Sequence, residues 1–146
     1  MRLHPQACLS LLLLAVIGCA PKPPAPERPS SSTAGPITDR DWVLVALGER
    51  PSALGSENRP ITLRLEAATA RAAGFAGCNR YSAGFTLSAD TLKFGPAIST
   101  KMACGEADEL ERSFLAILPA ITTYQITDST LTLQSPDGPL ATFRAR

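Results

Sequence analysis

Ile61-Thr62-Leu63-Arg64-Leu65 indicates the fold class more clearly than any other stretch of the chain. Apolar and polar residues alternate in it, so the three apolar side chains are expected to face a core while the polar ones face solvent. The same period of two recurs at Thr130-Leu131-Thr132-Leu133-Gln134. A largely apolar run, Trp42-Val43-Leu44-Val45-Ala46-Leu47, is expected to form a first buried strand. These stretches predict a domain built mainly of β-strands.

Turn-forming residues divide much of the remaining chain into short strands. Residues 81–87 and 92–94 flank Ser88-Ala89-Asp90 and predict a β-hairpin. Three further strands are expected to close the chain, with turns at Asp128-Ser129 and at Pro136-Asp137-Gly138; they cover residues 121–126, 130–134 and 140–143. Residues 71–76 form a weaker candidate strand. Short connections between successive strands favour an antiparallel sheet.

One helix is predicted between the hairpin and the last three strands. Its start is crowded with acidic residues, which the positive end of the helix dipole favours; they are Glu106, Asp108, Glu109 and Glu111. Apolar residues at helical spacing then form one face; they are Leu110, Phe114, Ile117 and Leu118. Pro119 is expected to end the helix. The predicted fold is mainly β, a small antiparallel β-barrel-like sheet with one packed α-helix (α+β), whose closure would remove exposed edges.

An apolar run near the N-terminus ends in Val16-Ile17-Gly18-Cys19. It is about half as long as the roughly 20 residues that a spanning helix needs. The pattern resembles a bacterial lipobox, in which a signal peptidase cuts before the cysteine and lipid is attached to it; the alternative is a plain secretory leader. The lipobox predicts a signal peptide over residues 1–18, a lipidated Cys19 beginning a disordered Pro- and Ser-rich tether over residues 19–36, and a folded domain over residues 37–146.

The lipid on Cys19 would attach the protein to a membrane that the chain does not cross. By resemblance to Gram-negative sorting rules, Ala20 after the cysteine favours the periplasmic face of the outer membrane. Proline-rich chain is extended at about 3.1 Å per residue, so the tether could hold the domain up to roughly 50 Å from the bilayer.

The composition of the domain excludes several classes of function. Once the leader is removed, thirteen basic residues balance thirteen acidic ones, and no basic stripe is evident, so nucleic acid is not expected as a partner. The only histidine, His4, lies in the leader. The domain therefore lacks the imidazole of Ser-His-Asp and Cys-His catalysis, and two cysteines alone do not complete a zinc site. We expect no catalytic residue, no bound metal and no cofactor.

Two cysteines, Cys78 and Cys104, belong to the domain, because Cys8 lies in the leader and Cys19 is the lipidation site. An exported domain with two cysteines most simply pairs them. Closing the loop between them would contribute roughly 3.5 kcal/mol in the loop-entropy model. Two buried free thiols and a redox pair are the alternatives, although redox pairs are usually spaced as Cys-x-x-Cys.

The cysteine segments carry a resemblance to a known family. Gly74-Phe75-Ala76-Gly77-Cys78-Asn79-Arg80-Tyr81 and Thr100-Lys101-Met102-Ala103-Cys104 resemble the two cysteine motifs of the META domain, also called the HslJ-like domain. Its other features are matched by Trp42-Val43-Leu44, by Glu111 with Phe114, Leu115 and Leu118 in the predicted helix, and by Leu131-Thr132-Leu133. The chain departs from the family at Gly105-Glu106, where many members have proline. The resemblance covers nearly all of residues 37–146.

The resemblance implies a small β-barrel-like sheet with one helix and selects six motif residues besides the cysteines: Trp42, Gly77, Asn79, Tyr81, Thr100 and Met102. Asn79 is expected to fix its turn through backbone hydrogen bonds, with a ligand-facing amide as the alternative. Met102 is expected to fill the core. Arg80 and Lys101 flank the cysteines and could form a small basic patch.

META relatives are linked to heat shock and envelope stress, so the resemblance implies a location better than a mechanism. The leading hypothesis is a non-enzymatic, membrane-anchored envelope lipoprotein, monomeric, with a role in stress response or protein binding. The alternatives are an inhibitor of an envelope protease or lysozyme, presenting a rigid loop within residues 48–60, and a carrier of a small ligand.

Overall fold

The computed structural model describes residues 36–146. The predicted signal peptide, the lipidation site at Cys19 and residues 20–35 of the tether lie outside these residues. The described residues form ten strands: β1 Asp41–Leu47, β2 Arg50–Pro51, β3 Thr62–Glu66, β4 Arg71–Phe75, β5 Arg80–Ser88, β6 Thr91–Phe94, β7 Ile98–Ser99, β8 Thr123–Thr127, β9 Thr130–Ser135 and β10 Gly138–Ala145. They also form one α-helix, α1 Ala107–Ile117, and two short 3-10 helices, Ser56–Asn58 and Leu118–Ala120.

The strands form one antiparallel sheet that closes on itself. Eight strands follow one another around the ring in the order β1, β3, β4, β5, β6, β8, β9 and β10, and β10 pairs with β1 again. The two shortest strands lie beside this ring, β2 on β1 and β7 on β5. The prediction of a mainly antiparallel β fold with one helix is confirmed.

The alternation seen in the sequence places the core inside the ring. Within residues 61–65, the side chains of Ile61, Leu63 and Leu65 are at most 1% exposed. Thr62 and Arg64 face outward and are partly accessible. Trp42 of β1 is fully buried, and its indole N–H donates to the carbonyl oxygen of Ile37 at 2.9 Å. This hydrogen bond satisfies the polar atom of the largest core side chain, as burial of tryptophan requires.

Helix α1 packs its apolar face against the inside of the ring. Phe114 is fully buried and makes edge-to-face contacts with the rings of Tyr81 at 5.3 Å and Phe143 at 6.3 Å. The helix ends at Ile117, and Pro119 lies in the 3-10 turn that follows, close to the predicted end.

Two strands and several boundaries differ from the prediction; β10, for example, runs from Gly138 to Ala145 and not over residues 140–143. Strands β2 and β7 contain two residues each, too few to show alternation in the sequence. Strand β8 begins at Thr123 and not at Ile121, because Ile121 is a buried core residue that closes the 3-10 turn after Pro119.

Candidate functional site

The residues of the two cysteine motifs meet at the start of α1. The segment after β4 turns beneath the helix at Gly77, whose φ of +118° disfavours other residues. A Cβ at this position would also lie 3.3 Å from the side chain of Leu110. Gly77 therefore allows both the turn and the close packing of α1 on it.

Cys78 and Cys104 form a disulfide, with their Cα atoms 5.7 Å apart. The bond joins the segment after β4 to the segment that leads into α1. Cys78 is 2% exposed, and Cys104 is half-buried. The backbone N–H of Cys104 donates to Asp108 Oδ1 at 3.1 Å, so the first turn of the helix is fixed to the same point.

Asn79 connects three parts of the chain and is 5% exposed. Its Oδ1 accepts hydrogen bonds from the Met102 backbone N–H at 2.8 Å and from the Thr100 hydroxyl at 2.9 Å. Its Nδ2 donates to the Met102 carbonyl oxygen at 3.1 Å. The Asn79 amide thus holds residues 100–102 as a second strand would, and its polar atoms are engaged within the protein.

The backbone of Asn79 is bound by the helix. Its N–H donates to Glu111 Oε2 at 2.6 Å, and Glu111 is only 8% exposed. Among the residues that the structure describes, every buried side-chain nitrogen or oxygen has a hydrogen-bond partner. The role of Glu111 was missed by sequence reasoning, which assigned it to the helix start. It lies 32 positions after Asn79, and no local pattern in the sequence signals the contact.

The loop that Asn79 holds and the short strand β7 before it each expose one large apolar side chain. Ile98 is 68% exposed and Met102 is 63% exposed, so the expectation that Met102 fills the core is wrong. Its backbone, and not its side chain, makes the contacts that fix the loop. A shallow groove with a volume of ≈ 350 Å³ runs beside this loop toward α1, with Lys101 and Arg112 among its lining residues.

The remaining motif residues are structural. Tyr81 is 3% exposed, and its hydroxyl donates to the Thr62 carbonyl oxygen at 3.1 Å. Burial raises the pKa of this phenol, so Tyr81 holds its proton at neutral pH. Arg80 lines a groove on the outer face of the sheet and Lys101 lines the groove beside α1, and the small basic patch of the two residues stays a prediction.

Cys78, Cys104 and Asp108 place two sulfurs and a carboxylate within 4.8 Å of one another. Zinc sites use thiolates, and both sulfurs are here joined in the disulfide. The Asp108 carboxylate accepts the Cys104 N–H. In this oxidised form the cluster does not offer the donors of a metal site.

No helix among residues 36–146 is both long enough and apolar enough to cross a membrane.

Comparison with known proteins gives a family and two similar structures. The family model described as META domain matches residues 35–146. An NMR structure of a protein from Burkholderia xenovorans is 30% identical, with a TM-score of 0.61, over 84% of this chain and 99% of that one. A second protein solved by NMR is 22% identical, with a TM-score of 0.58, over 74% and 90% of the two chains, and shares the fold. No curated protein matches the chain significantly.

Proposed function

The chain belongs to the META domain family, and we propose that it is a non-enzymatic lipoprotein of the bacterial envelope whose domain binds a protein partner. Its anchor would be lipid on Cys19, and its location the periplasmic face of the outer membrane. The lipobox-like segment and the Pro-rich tether support the anchor and its location. The link between META relatives and stress supports a role for the binding under heat or envelope stress.

One observation carries the binding role: a fixed loop presents apolar side chains to solvent. Ile98 and Met102 are more than 60% exposed. β7 pairs with β5 at Ile98, Asn79 binds the backbone of Met102, and the disulfide at Cys104 fixes the chain just beyond it. A surface that is rigid before binding loses little entropy when a partner docks. Large apolar side chains at the centre of an interface supply much of its binding energy.

The geometry around Asn79 supports a binding role over catalysis. The Glu111 carboxylate accepts the Asn79 N–H, and the Asp108 carboxylate accepts the Cys104 N–H. A general base must instead reach a proton of the substrate. Tyr81, with its raised pKa and its bond to Thr62, is also engaged within the fold.

The test is site-specific cross-linking in intact envelopes, with the lipidated full-length chain as bait. The double variant Ile98→Asp/Met102→Asp should weaken capture of a specific partner about 30-fold, the effect of losing roughly 2 kcal/mol at an interface centre. Leu87→Asp is the matched control, because Leu87 is an exposed apolar residue on β5. Equal capture by the double variant and the wild type would contradict the binding role of the loop.

Anchoring is tested separately with Cys19→Ser. The variant should lose the lipid, detected by mass spectrometry of the purified chain, and should leave the membrane fraction. A wild-type chain without acyl chains on Cys19 would contradict the lipoprotein proposal. Rescue of heat sensitivity in a deletion strain by the wild type, but not by Ile98→Asp/Met102→Asp, would support the stress role.

A second candidate function, inhibition of an envelope protease or lysozyme, is favoured by the loop over residues 48–60. The Ser56 N–H donates to the Gly77 carbonyl oxygen at 2.7 Å, and a Cβ on Gly55 would lie 2.0 Å from that oxygen. The loop is thus held close against the Gly77 turn, and beside the contact Leu54 is 57% exposed. Inhibition that is lost in Leu54→Asp and kept in Leu87→Asp would support this function.

The carrier function, the third alternative, has less support from the packing. Trp42, Phe114 and Phe143 fill the inside of the ring and are fully buried. A ligand would therefore have to bind on the surface of the domain, and native mass spectrometry of protein purified from envelopes would detect it.

A further inference from the structure

A second groove lies on the outer face of the sheet, away from the disulfide. Paired residues of β3 and β4 end at Arg64 and Ala73, and beyond this pair Gly74 approaches the Thr62 carbonyl so closely that a Cβ would lie 2.0 Å from its oxygen. The Thr62 hydroxyl then accepts the Phe75 N–H at 3.0 Å. The irregular pairing leaves a concave surface with a volume of ≈ 600 Å³.

The charges that line this groove are almost all positive. Its four basic residues come from a loop, two strands and the position after β10: Arg59, Arg64, Arg80 and Arg146. Asp41 is the acidic side chain among the lining residues. One guanidinium group can donate two parallel hydrogen bonds to the oxygens of a phosphate. Several arginines around one concave surface therefore favour a ligand that carries phosphate.

Two of these arginines are held in place by neighbours. The Arg59 guanidinium lies 4.0 Å from the centre of the Phe75 ring, a cation–π contact, and its Nη1 lies 3.8 Å from Glu57 Oε2 in an ion pair. Arg64 Nη1 donates to Asp41 Oδ1 at 3.1 Å. Arg80 and Arg146 form no ion pair with any of residues 36–146, so their charge is available to a ligand.

The basic surface continues beyond the groove along the same face. Arg144 lies directly opposite Val43 across the β1–β10 pair, and Val43 lines the groove. Arg71 lies on the same face but opposite Glu66 of β3, and its side chain donates to the Ser82 hydroxyl. Because directly opposed residues of an antiparallel pair point to the same side, Arg144 extends the positive face.

The floor of the groove is less polar than its rim. Val43, Pro60 and Phe75 line it, together with Gly74. An arginine rim above an apolar floor matches a ligand that has an anionic head and an apolar body. Among phosphate-bearing molecules, this pattern favours a phospholipid over free phosphate or a polyanion.

The position of the chain entry supports the same ligand. Residues 36–40 lead directly into β1, whose first residue, Asp41, lines the groove. The proposed anchor at Cys19 is joined to this rim by a tether with a reach of roughly 50 Å. Lipid attached to Cys19 would therefore keep the arginine face within reach of the leaflet that holds this lipid.

We propose that this groove binds the phosphate group of an anionic phospholipid and that the arginine face contacts the anchoring leaflet. The proposal relies on the proposed anchor at Cys19 for the identity of that membrane and for the reach of the arginine face to it. Each arginine near an anionic surface contributes about 1 kcal/mol, which corresponds to about a fivefold change in binding.

The experiment uses residues 20–146, which lack the leader and Cys19. A chain of this extent is expected to fold alone, because 99% of the chain from Burkholderia xenovorans, solved in solution, is matched by 84% of this one. The probes are vesicles of phosphatidylcholine alone and of an equimolar mixture with phosphatidylglycerol. Binding is measured by co-sedimentation at low salt.

The wild-type chain should bind the mixed vesicles and not phosphatidylcholine alone. Arg80→Gln/Arg146→Gln should weaken that binding about 25-fold. The matched control, Arg50→Gln/Lys93→Gln, removes the same charge from exposed positions outside the groove and should bind nearly as the wild type does.

Three results would overturn the proposal. Equal losses in both double variants would mean that net charge alone acts, and no binding to the mixed vesicles would exclude the lipid. Tighter binding to a single-stranded oligonucleotide than to the vesicles would assign the face to nucleic acid. None of these results bears on cross-linking through Ile98 and Met102, so the two proposals fail independently.

Discussion

The side chain of Asn79 forms with a backbone segment the kind of hydrogen bonds that paired strands form along several residues. Its side chain offers an acceptor and a donor to the backbone of Met102, with hydrogen bonds of 2.8 and 3.1 Å. Asparagine fits this role because its amide reproduces the donor and acceptor of a peptide group. A loop without regular pairing is thereby held almost as a strand of the sheet would be.

Replacing Asn79 with alanine should destabilise the domain by about 3 kcal/mol, because three side-chain hydrogen bonds are lost and the Met102 N–H loses its partner. Urea unfolding with the disulfide intact measures the change. Gln125→Ala is the control, since Gln125 is an exposed amide on β8 and its loss should cost about 0.5 kcal/mol or less. Similar costs for the two variants would show that the Asn79 bonds contribute no net stability.

Burial of the Tyr81 phenol should make the free energy of unfolding decrease at alkaline pH. Burial raises its pKa above the usual 10.0, so the folded state holds the proton more tightly than the unfolded state. Its contribution is therefore fully present below pH 10.0 and is lost as the pH rises above that value, at about 1.4 kcal/mol per pH unit.

Tyr81→Phe should cost about 1 kcal/mol at neutral pH through the lost bond to Thr62, and should then lose less stability than the wild type above pH 10.0. Urea unfolding across the alkaline range gives both slopes. Tyr124→Phe serves as the control, because Tyr124 is only half-buried. Parallel slopes for the wild type and Tyr81→Phe would rule out Tyr81 as the source of the alkaline loss.

At the scale of residues, the sequence could show which side chains matter but not all of their contacts. Asn79 and Thr100 stood out because they lie in motifs with cysteines, and they bind each other. Glu111 was identified only as part of a helix, since its contact with Asn79 depends on how α1 lies against β4. The exposure of Met102 was missed because residue type alone favours burial of methionine.

At the scale of elements, the disulfide joins the β4 end to the segment that precedes α1. That segment has little regular structure besides the two residues of β7, so its order depends on the bond and on Asn79. Two contacts therefore hold this segment: the disulfide, which is covalent, and the hydrogen bonds of Asn79. Loss of either contact should loosen residues 98–104 more than the rest of the sheet.

The double variant Cys78→Ser/Cys104→Ser should lose roughly 3.5 kcal/mol of stability, the loop-entropy contribution of a loop of this length. Hydrogen exchange should quicken most at residues 98–104 and least in the β9–β10 hairpin, which has its own ladder. Uniform acceleration along the chain would contradict a local role for the bond.

The sequence predicted elements well where alternation or turn residues recur over several positions. The hairpin turn after β5 and the turn before β10 both lie where the sequence places them. The arginine groove could not be predicted, because its basic residues occupy outward positions in elements far apart in sequence. Each arginine looks like an ordinary surface charge until the register of the strands is known.

At the scale of the whole molecule, the pairing of β1 with β10 closes the ring. It joins Trp42 to Ala145 and Leu44 to Phe143, near opposite ends of the described chain. Phe143 also lies opposite Leu131 of β9 and contacts Phe114 of α1. One buried side chain thus connects the first strand, the last hairpin and the helix.

Phe143→Ala should therefore destabilise the domain by about 3–5 kcal/mol, the cost of a large cavity in a packed core. Leu87→Ala, at an exposed position of β5, should change stability by about 0.5 kcal/mol or less. Urea unfolding measures both variants, and the single tryptophan, Trp42, reports on β1 directly.

Closure of the ring also predicts how the loss will occur. A small domain with one core unfolds in a single transition, so Trp42 fluorescence and far-ultraviolet circular dichroism should shift together in Phe143→Ala. If fluorescence changed at a lower urea concentration than circular dichroism, β1 would be separating while other strands stayed paired. The pairing of β1 with β10 would then be lost independently of the rest of the sheet. Closure of the ring would not be the cause of cooperative unfolding.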